Sequence, residues 1–360
     1  MMQPSYARSL LVLAVLAPLL PGAPSCASVR GGLGFQEDLE GVFGRVHTAV
    51  VTLRTAKTSR LANGQVVTED GVGSGTLVSD DGKVLTAAHV VQTADQVQVE
   101  FFDGTKMTAK VVGSDVLADV ALVQLEAPVP KNVAIAALGD SDAVAVGNPV
   151  FVVGAPLGIS HTLTVGHVSA RRVAPSLLDS GEGIQVLQTD AAINLGNSGG
   201  PLFNMRGEIV GVVSWIASKS GGADGLGFAV ASNTAKQLVL DRHPFWSGMD
   251  FIPVQGLFAQ ILNLPPGQSG YLVQRVAPDS PAERLGIRAG NVPVKVGTSE
   301  LLLGGDVILE ALGVEVGAKD GHLEIRQRIE ERHPGDELTV VVLRAGARVV
   351  LKSTFEELSR

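Results

Sequence analysis

The sequence predicts a mainly β protein followed by a smaller α+β module, and three observations predict it. From Val46 to about Ala235 the chain repeats short apolar, β-branched runs separated by Asp-Gly, Gly-Asn or Ser-Gly turns. Glycine makes up 43 of the 360 residues, the supply that many tight turns demand. Beyond residue 250 the pattern changes to strand, helix, strand, helix, strand.

The first β region starts, after a glycine-containing lead-in from Gly31 to Gly44, at Val46 to Leu53, which reads as a buried strand. Further strands read at Gly75 to Val78, Val97 to Phe102, Val120 to Leu125, Pro149 to Val153, Ile184 to Gln188 and Ile209 to Val213. Closing into a barrel is one common way to bury so many short strands. Ala235 to Met249 reads as a short helix running into a linker at Asp241-Arg242-His243-Pro244, which places a domain boundary there. Then Gly270 to Val276 reads as a strand. Ser280-Pro281-Ala282-Glu283 is a capping box with proline at the first helical position, so a helix starts at Pro281. Leu323, Ile325 and Ile329 among charges make His322 to Glu331 an amphipathic helix, and Glu337 to Leu343 alternates into a strand. The expected organisation is a signal peptide at 1–27, an N-terminal segment at 28–45, a domain at 46–235, a linker at 236–249 and a domain at 250–356.

A formal net charge of -8 with no basic run argues against a nucleic-acid partner, whose affinity is built from clustered Lys and Arg. Arg8, the apolar stretch Leu10 to Leu20 and the small residues around Ser25-Cys26-Ala27 read as an export signal cleaved after Ala27. Eleven apolar residues interrupted by Pro18 are too few for a membrane span of about 20. Cys26 is the single cysteine, so no internal disulfide can form despite export. Lipidation of Cys26 is the alternative, although Ala23-Pro24-Ser25-Cys26 lacks the leucine a lipobox carries three residues before its cysteine. The seven histidines are scattered without ligand spacing and no phosphate-cradling loop precedes a helix, so neither metal nor cofactor is expected.

Hydrolysis by a serine needs a nucleophile, a base, a group that orients the base, and backbone N–H donors aimed at the developing oxyanion. Ser198 lies in Gly196-Asn197-Ser198-Gly199-Gly200-Pro201, where glycines let a substrate carbonyl approach the N–H groups of Gly196 and Ser198. His89 follows the strand Val84-Leu85 among small residues, in Thr86-Ala87-Ala88-His89-Val90-Val91. Asp119 heads the apolar run Val120-Ala121-Leu122, where a buried acid needs partners. Each has a bland reading: a loop serine, a core histidine held by backbone, a turn-initiating aspartate. Asp115 competes with Asp119, but its place in the Gly113-Ser114 turn predicts solvation. Order decides, because His, then Asp, then Ser is the chymotrypsin order and not that of subtilisin-like or α/β-hydrolase chains.

Those residues, with Gly73-Ser74-Gly75-Thr76-Leu77-Val78, Gln188 to Asn194 and Leu226 to Val230, resemble the protease domain of the HtrA/Deg family. The C-terminal module resembles that family's PDZ domain. The resemblance implies a chymotrypsin-like double β-barrel with His89, Asp119 and Ser198 meeting between the barrels, and an oxyanion hole made by the N–H groups of Gly196 and Ser198. It places Ala192, six residues before the nucleophile, at the base of the pocket for the residue preceding the cleaved bond. With Leu226, Gly227 and Phe228 as wall, that pocket favours small or aliphatic side chains, since Arg or Lys would find no counter-charge. Position 195, proline in the family's run before the nucleophile, is leucine here, which leaves the turn less constrained and predicts an oxyanion hole poorly formed at rest.

Two Gly-Leu-Gly-Phe strings, at Gly32 to Phe35 and Gly225 to Phe228, match a PDZ signature but fall outside the module. Its carboxylate-binding loop is instead expected at Phe251-Ile252-Pro253-Val254, with the His322 to Glu331 helix completing a peptide groove. Pro253 removes a donor there, and Asn291 to Gly305 reads as an insertion. The resemblance further implies an exported periplasmic or envelope endopeptidase that degrades unfolded or damaged proteins, binds a C-terminal peptide at its PDZ domain, and forms homo-trimers through N-terminal segments carrying Phe35 and Phe43. A non-proteolytic chaperone on the same scaffold and a dedicated signalling protease are the alternatives.

Overall fold

The computed structural model describes residues 33–60, 64–155, 161–174, 183–216, 224–242, 245–296 and 299–355. The signal-peptide reading and Cys26 lie outside them. Six antiparallel strands close a first barrel: β1 (Val50–Arg60), β2 (Val66–Leu77), β3 (Lys83–Thr86), β4 (Gln96–Glu100), β5 (Lys106–Asp115) and β6 (Val120–Leu125). Six more close a second: β7 (Pro149–Gly154), β8 (Thr162–Ala174), β9 (Ile184–Thr189), β10 (Pro201–Asn204), β11 (Ile209–Ile216) and β12 (Gly227–Ala231).

Side-chain alternation shows why these runs are strands. In β4, Val97 and Val99 point into the barrel while Gln96 and Gln98 point outward. β6 is apolar on both faces because both are covered: Ala121, Val123 and Leu125 fill the first barrel, whereas Val120 and Leu122 join Val212 and Val230 of the second. That shared layer fixes the cleft between the barrels. A helix α3 (Ser232–Val239) seals its back with Ala235, Leu238 and Val239.

The lead-in is helical rather than irregular. Helix α1 spans Leu33–Val46, a single 3-10 turn follows at His47–Ala49, and β1 begins at Val50, so the expected strand from Val46 starts four residues late. Val42 and Val46, one helical turn apart, are buried against Phe151, Phe203 and Ile209 of the second barrel. Gly41 and Gly44 cost a helix about 1 kcal/mol each, and burying the two valines at about 1.5–3 kcal/mol each outweighs them. Phe43 stacks on His47 with ring centroids 5.0 Å apart.

The second unit is a sheet ordered β13 (Met249–Val254), β14 (Gly270–Val276), β17 (Val307–Ala311), β19 (Glu337–Arg344) and β20 (Ala347–Thr354), with β18 (Val314–Glu315) paired to β17. Helices α4 (Gly256–Ile261), α5 (Pro281–Leu285) and α6 (Gly321–Glu330) accompany it. The serine half of the capping box forms, Ser280 accepting from the Glu283 N–H at 3.2 Å, whereas Glu283 reaches back to the Asp279 N–H at 2.7 Å rather than to that of Ser280; Gly286 ends the helix at φ 83°. Phe251 to Val254 is a correction, because these residues are edge strand and not loop. Alternating with Met249, they pair with β14, and Phe251 packs its ring 4.4 Å from that of Tyr271. The insertion at 291–305 is a hairpin, β15 (Val292–Val296) and β16 (Ser299–Leu303), tied to β14 by Gln274, which accepts from Leu302 N at 2.8 Å.

Candidate active site

Ala88, Val90 and Val91 of the short helix α2 (Ala88–Val91) are buried, which leaves His89 as the residue of that turn facing the inter-barrel cleft, its side chain half exposed. Asp119 sits just ahead of β6 at φ 56°, a left-handed conformation that aspartate, like asparagine, adopts more readily than other non-glycine residues. Its carboxylate accepts from His89 Nδ1 at 2.8 and 3.0 Å and from the His89 backbone N–H at 2.9 Å. Ser214 Oγ donates to the same carboxylate. A carboxylate partner requires the proton on Nδ1, so Nε2 is left to act as base.

Ser198 is held in a turn with Gly196 at φ 101° and Gly199 at φ 82°. A Cβ at Gly199 would overlap Thr86 and the Ser74 carbonyl, so glycine is needed there for space as well as for conformation. Ser74 binds the turn from β2: its N–H donates to Ser198 O at 2.8 Å and its hydroxyl to Gly196 O at 2.7 Å. The N–H groups of Gly196 and Ser198 donate to none of the described residues, so both remain available to an incoming oxygen. Ser198 Oγ donates to Ser214 O at 3.4 Å rather than to His89, so the serine–histidine hydrogen bond is open in this structure. Such bonds commonly tighten only when substrate is bound.

On one side of Ser198, Ala192 is exposed with its carbonyl held by Thr164 Oγ1 at 2.9 Å. Gly227 lies so close to Ile193 that a Cβ there would overlap it, Phe228 stacks on Trp215 with centroids 5.2 Å apart, and Leu226 is exposed. The neighbouring acid, Asp190, accepts from the His167 N–H at 2.5 Å. On the other side a cleft of about 390 Å³ is lined by Thr55, Lys57, Asp70 and Val72 of the β1–β2 hairpin and by Arg275 of the second unit. Lys57 Nζ donates to the His89 carbonyl at 2.7 Å, and burial above all lowers its pKa. Arg275 reaches Glu69 with two hydrogen bonds, at 2.8 and 3.2 Å.

Asp115 departs from expectation. It is 3% exposed rather than solvated, because α6 covers it. Burial pushes its carboxyl up, but His322 and Arg326 outweigh that and hold it below the usual carboxylate range. Phe251 and Met249 of β13 line a pocket of about 120 Å³ with Ile325 and Ile329 of α6, and Ser114 to Val116 of the first barrel form its rim. Sequence reasoning missed Ser214, Ser74 and Lys57. A hydroxyl inside the buried apolar strand Val212-Val213-Ser214 is the signal that could have found Ser214, since such a group needs a partner. Among the described residues no group of three or more His, Cys, Asp or Glu side chains is placed to hold a metal.

Two antiparallel barrels meeting at a serine, a histidine and an aspartate define a trypsin-like serine protease. Residues 73–212 match the family model of the trypsin-like peptidase domain. The chain is 36% identical over 292 residues to a DegP-like protein of Halomonas elongata named a probable periplasmic serine endoprotease, covering 79% of this chain and 56% of the relative. A protein of the same name from Pseudomonas putida is 39% identical over 254 residues, covering 69% of this chain and 52% of its own length. The chain thus spans about half the length of these relatives. A solved HtrA-type protease, an AlgW variant with decapeptide, aligns with a TM-score of 0.53 at 31% identity, covering 88% of this chain and 96% of that one. The chain belongs to the HtrA family of serine proteases.

Proposed function

We propose that the protein is a serine endopeptidase in which Ser198 is the nucleophile, His89 its general base and Asp119 the group that orients His89. The observation that carries the reading is the Asp119 carboxylate bound to both the Nδ1 and the backbone N–H of His89, at 2.8 and 2.9 Å. With substrate bound, Ser198 Oγ turns from the Ser214 carbonyl to His89 Nε2, which takes its proton as the hydroxyl attacks the substrate carbonyl. Gly196 and Ser198 N–H groups receive the oxyanion, and the imidazolium returns its proton to the leaving amine. Water, activated by His89 in turn, hydrolyses the acyl-enzyme.

The residue before the cleaved bond enters the side lined by Ala192, Leu226, Gly227 and Phe228, which suits small or aliphatic chains. The leaving half lies in the cleft over Lys57, Asp70 and Val72. Unfolded or damaged proteins of the periplasm or envelope are the proposed substrates; the name periplasmic serine endoprotease borne by the DegP-like relatives supports the compartment, and the decapeptide with an HtrA-type structure supports peptide binding. The second unit is proposed as a PDZ domain whose peptide site lies along β13 and α6, and the assembly as a homo-trimer. Ser198→Ala tests the reading: it abolishes cleavage of casein while the thermal midpoint stays as in wild type, and retained cleavage refutes it. Mass spectrometry of proteins trapped on that variant identifies the substrates.

A further inference from the structure

The segment Asp115 to Asp119 begins and ends on a carboxylate, and the two are held by different parts of the molecule. Asp115 Oδ1 accepts from the Ala118 N–H at 2.8 Å, closing the turn. Asp115 Oδ2 accepts from Arg326 Nη1 at 2.6 Å and lies 3.2 Å from His322 Nε2, both on α6 of the second unit. Arg326 Nη2 donates to the Leu238 carbonyl at the end of α3, so one guanidinium joins the first barrel, the α3 helix and the second unit. Glu330 lies 3.5 Å from Arg326 Nε, with Arg242 3.9 Å beyond it. At the other end of the turn, Asp119 keeps φ 56° and binds His89.

The histidine side has a parallel tie. Gln92, three residues after His89, donates to the Met249 carbonyl at 2.8 Å and to Ser247 Oγ at 3.1 Å, and its own carbonyl accepts from Trp246 Nε1 at 3.0 Å. Both turns that carry the base and its orienting acid are therefore anchored on residues beyond the barrels.

We infer that Arg326 is a positioning residue for proteolysis: by clamping Asp115 it holds the Asp115–Asp119 turn in the left-handed form that aims Asp119 at His89. The fork geometry matters, because two acceptors on different elements must be met at once, which a lysine ammonium on one stem does poorly. The inference rests on the peptidase reading above. Losing the clamp frees the turn closed by Asp115 and so lets the Asp119 carboxylate shift from His89, and displacements near 1 Å in such constellations cost about a hundredfold in rate.

The test uses the full chain with Arg326→Met, Arg326→Lys and Asp115→Asn, a chromogenic peptide, and kcat and KM measured from neutral to weakly acidic pH. Arg326→Met lowers kcat by about tenfold to a hundredfold with KM little changed. The acidic limb of its kcat/KM profile moves to lower pH, because a displaced carboxylate favours the imidazolium less. Arg326→Lys recovers part of both. The other charged groups around His89 and Asp119, namely Lys57, Glu69, Asp70 and Arg275 and the partly buried Asp250, are untouched by these changes. A general loss of structure would lower the active fraction without moving the limb. Unchanged or increased kcat in an Arg326→Met protein of near wild-type thermal midpoint overturns the inference. Where that variant does not fold, Asp115→Asn, which keeps the acceptor for Ala118, decides by the same two readouts. Fluorophosphonate labelling of wild type that is lost in Ser198→Ala holds the peptidase reading separate; absent labelling fails that reading instead.

Discussion

Ser214 Oγ donates to Oδ2 of Asp119, the same oxygen that His89 Nδ1 reaches at 2.8 Å. The carbonyl of Ser214 meanwhile accepts from Ser198 Oγ at 3.4 Å. One residue of the second barrel thus touches both Asp119 of the first barrel and Ser198 of its own, and it is 4% exposed. Hydrogen bonds to charged groups in such surroundings are about twice as strong as neutral ones.

Replacing that hydroxyl should therefore be felt in turnover. Ser214→Ala removes one donor from the carboxylate, a bond to a charged group of about 1.5–3 kcal/mol, and lowers kcat by roughly tenfold to a hundredfold. Steady-state kinetics on an aliphatic peptide checks it, with thermal melting to show that the barrel is intact.

Leu195 is 75% exposed immediately before Gly196, so a proline there meets no packed neighbour. By restricting the turn, Leu195→Pro favours the conformation in which both N–H groups face the substrate. Proline substitutions of this kind contribute about 0.4–1 kcal/mol, equivalent to a basal peptidase rate raised about two- to fivefold. A basal rate equal to wild type would show that the turn is already formed at rest.

Ala192→Asp places a carboxylate on the pocket side of Ser198 without disturbing a buried side chain. Cleavage after Lys or Arg appears and cleavage after Val or Ala falls, read from a peptide series differing only at the residue before the scissile bond.

Acid should weaken the junction between the barrels and the second unit. The folded carboxyl of Asp115 is held below its unfolded value of about 3.9. A depressed carboxylate contributes stability that is complete above the unfolded value and is lost as pH falls below it. Thermal midpoints measured downward from about pH 5 drop more steeply for wild type than for Asp115→Asn. At neutral pH Asp115→Ala removes the 2.6 Å partner of buried Arg326, which keeps the Leu238 carbonyl and Glu330 at 3.5 Å, and costs about 1–3 kcal/mol.

Much of the architecture was legible because local patterns report local structure. The alternation in Gln96 to Glu100, the apolar run after Asp119 and the capping box at Ser280 each needed only neighbours a few residues away. Val46 misled because its β-branched run also fits a helix face, and the second barrel, more than a hundred residues distant, supplied the burial that chose helix. Phe251 to Val254 misled for another reason: the resemblance to the family's domain placed a loop there, and pairing with β14 makes it an edge strand that tolerates Pro253.

The site divides along the same line. Residue types and their order along the chain, His89, Asp119, then Ser198 between glycines, were enough to nominate a nucleophile, a base and an orienting acid, because the proposed chemistry needs those groups whatever surrounds them. That Asp119 meets both the Nδ1 and the backbone N–H of His89, that Asp115 is buried, what Ser214 and Ser74 hold, and how Arg326 reaches Asp115 from 211 positions away were decided only by the tertiary structure. Burial and hydrogen-bond partnership are properties of the packed chain, and charged groups so far apart in sequence acquire partners only when folding removes water from between them.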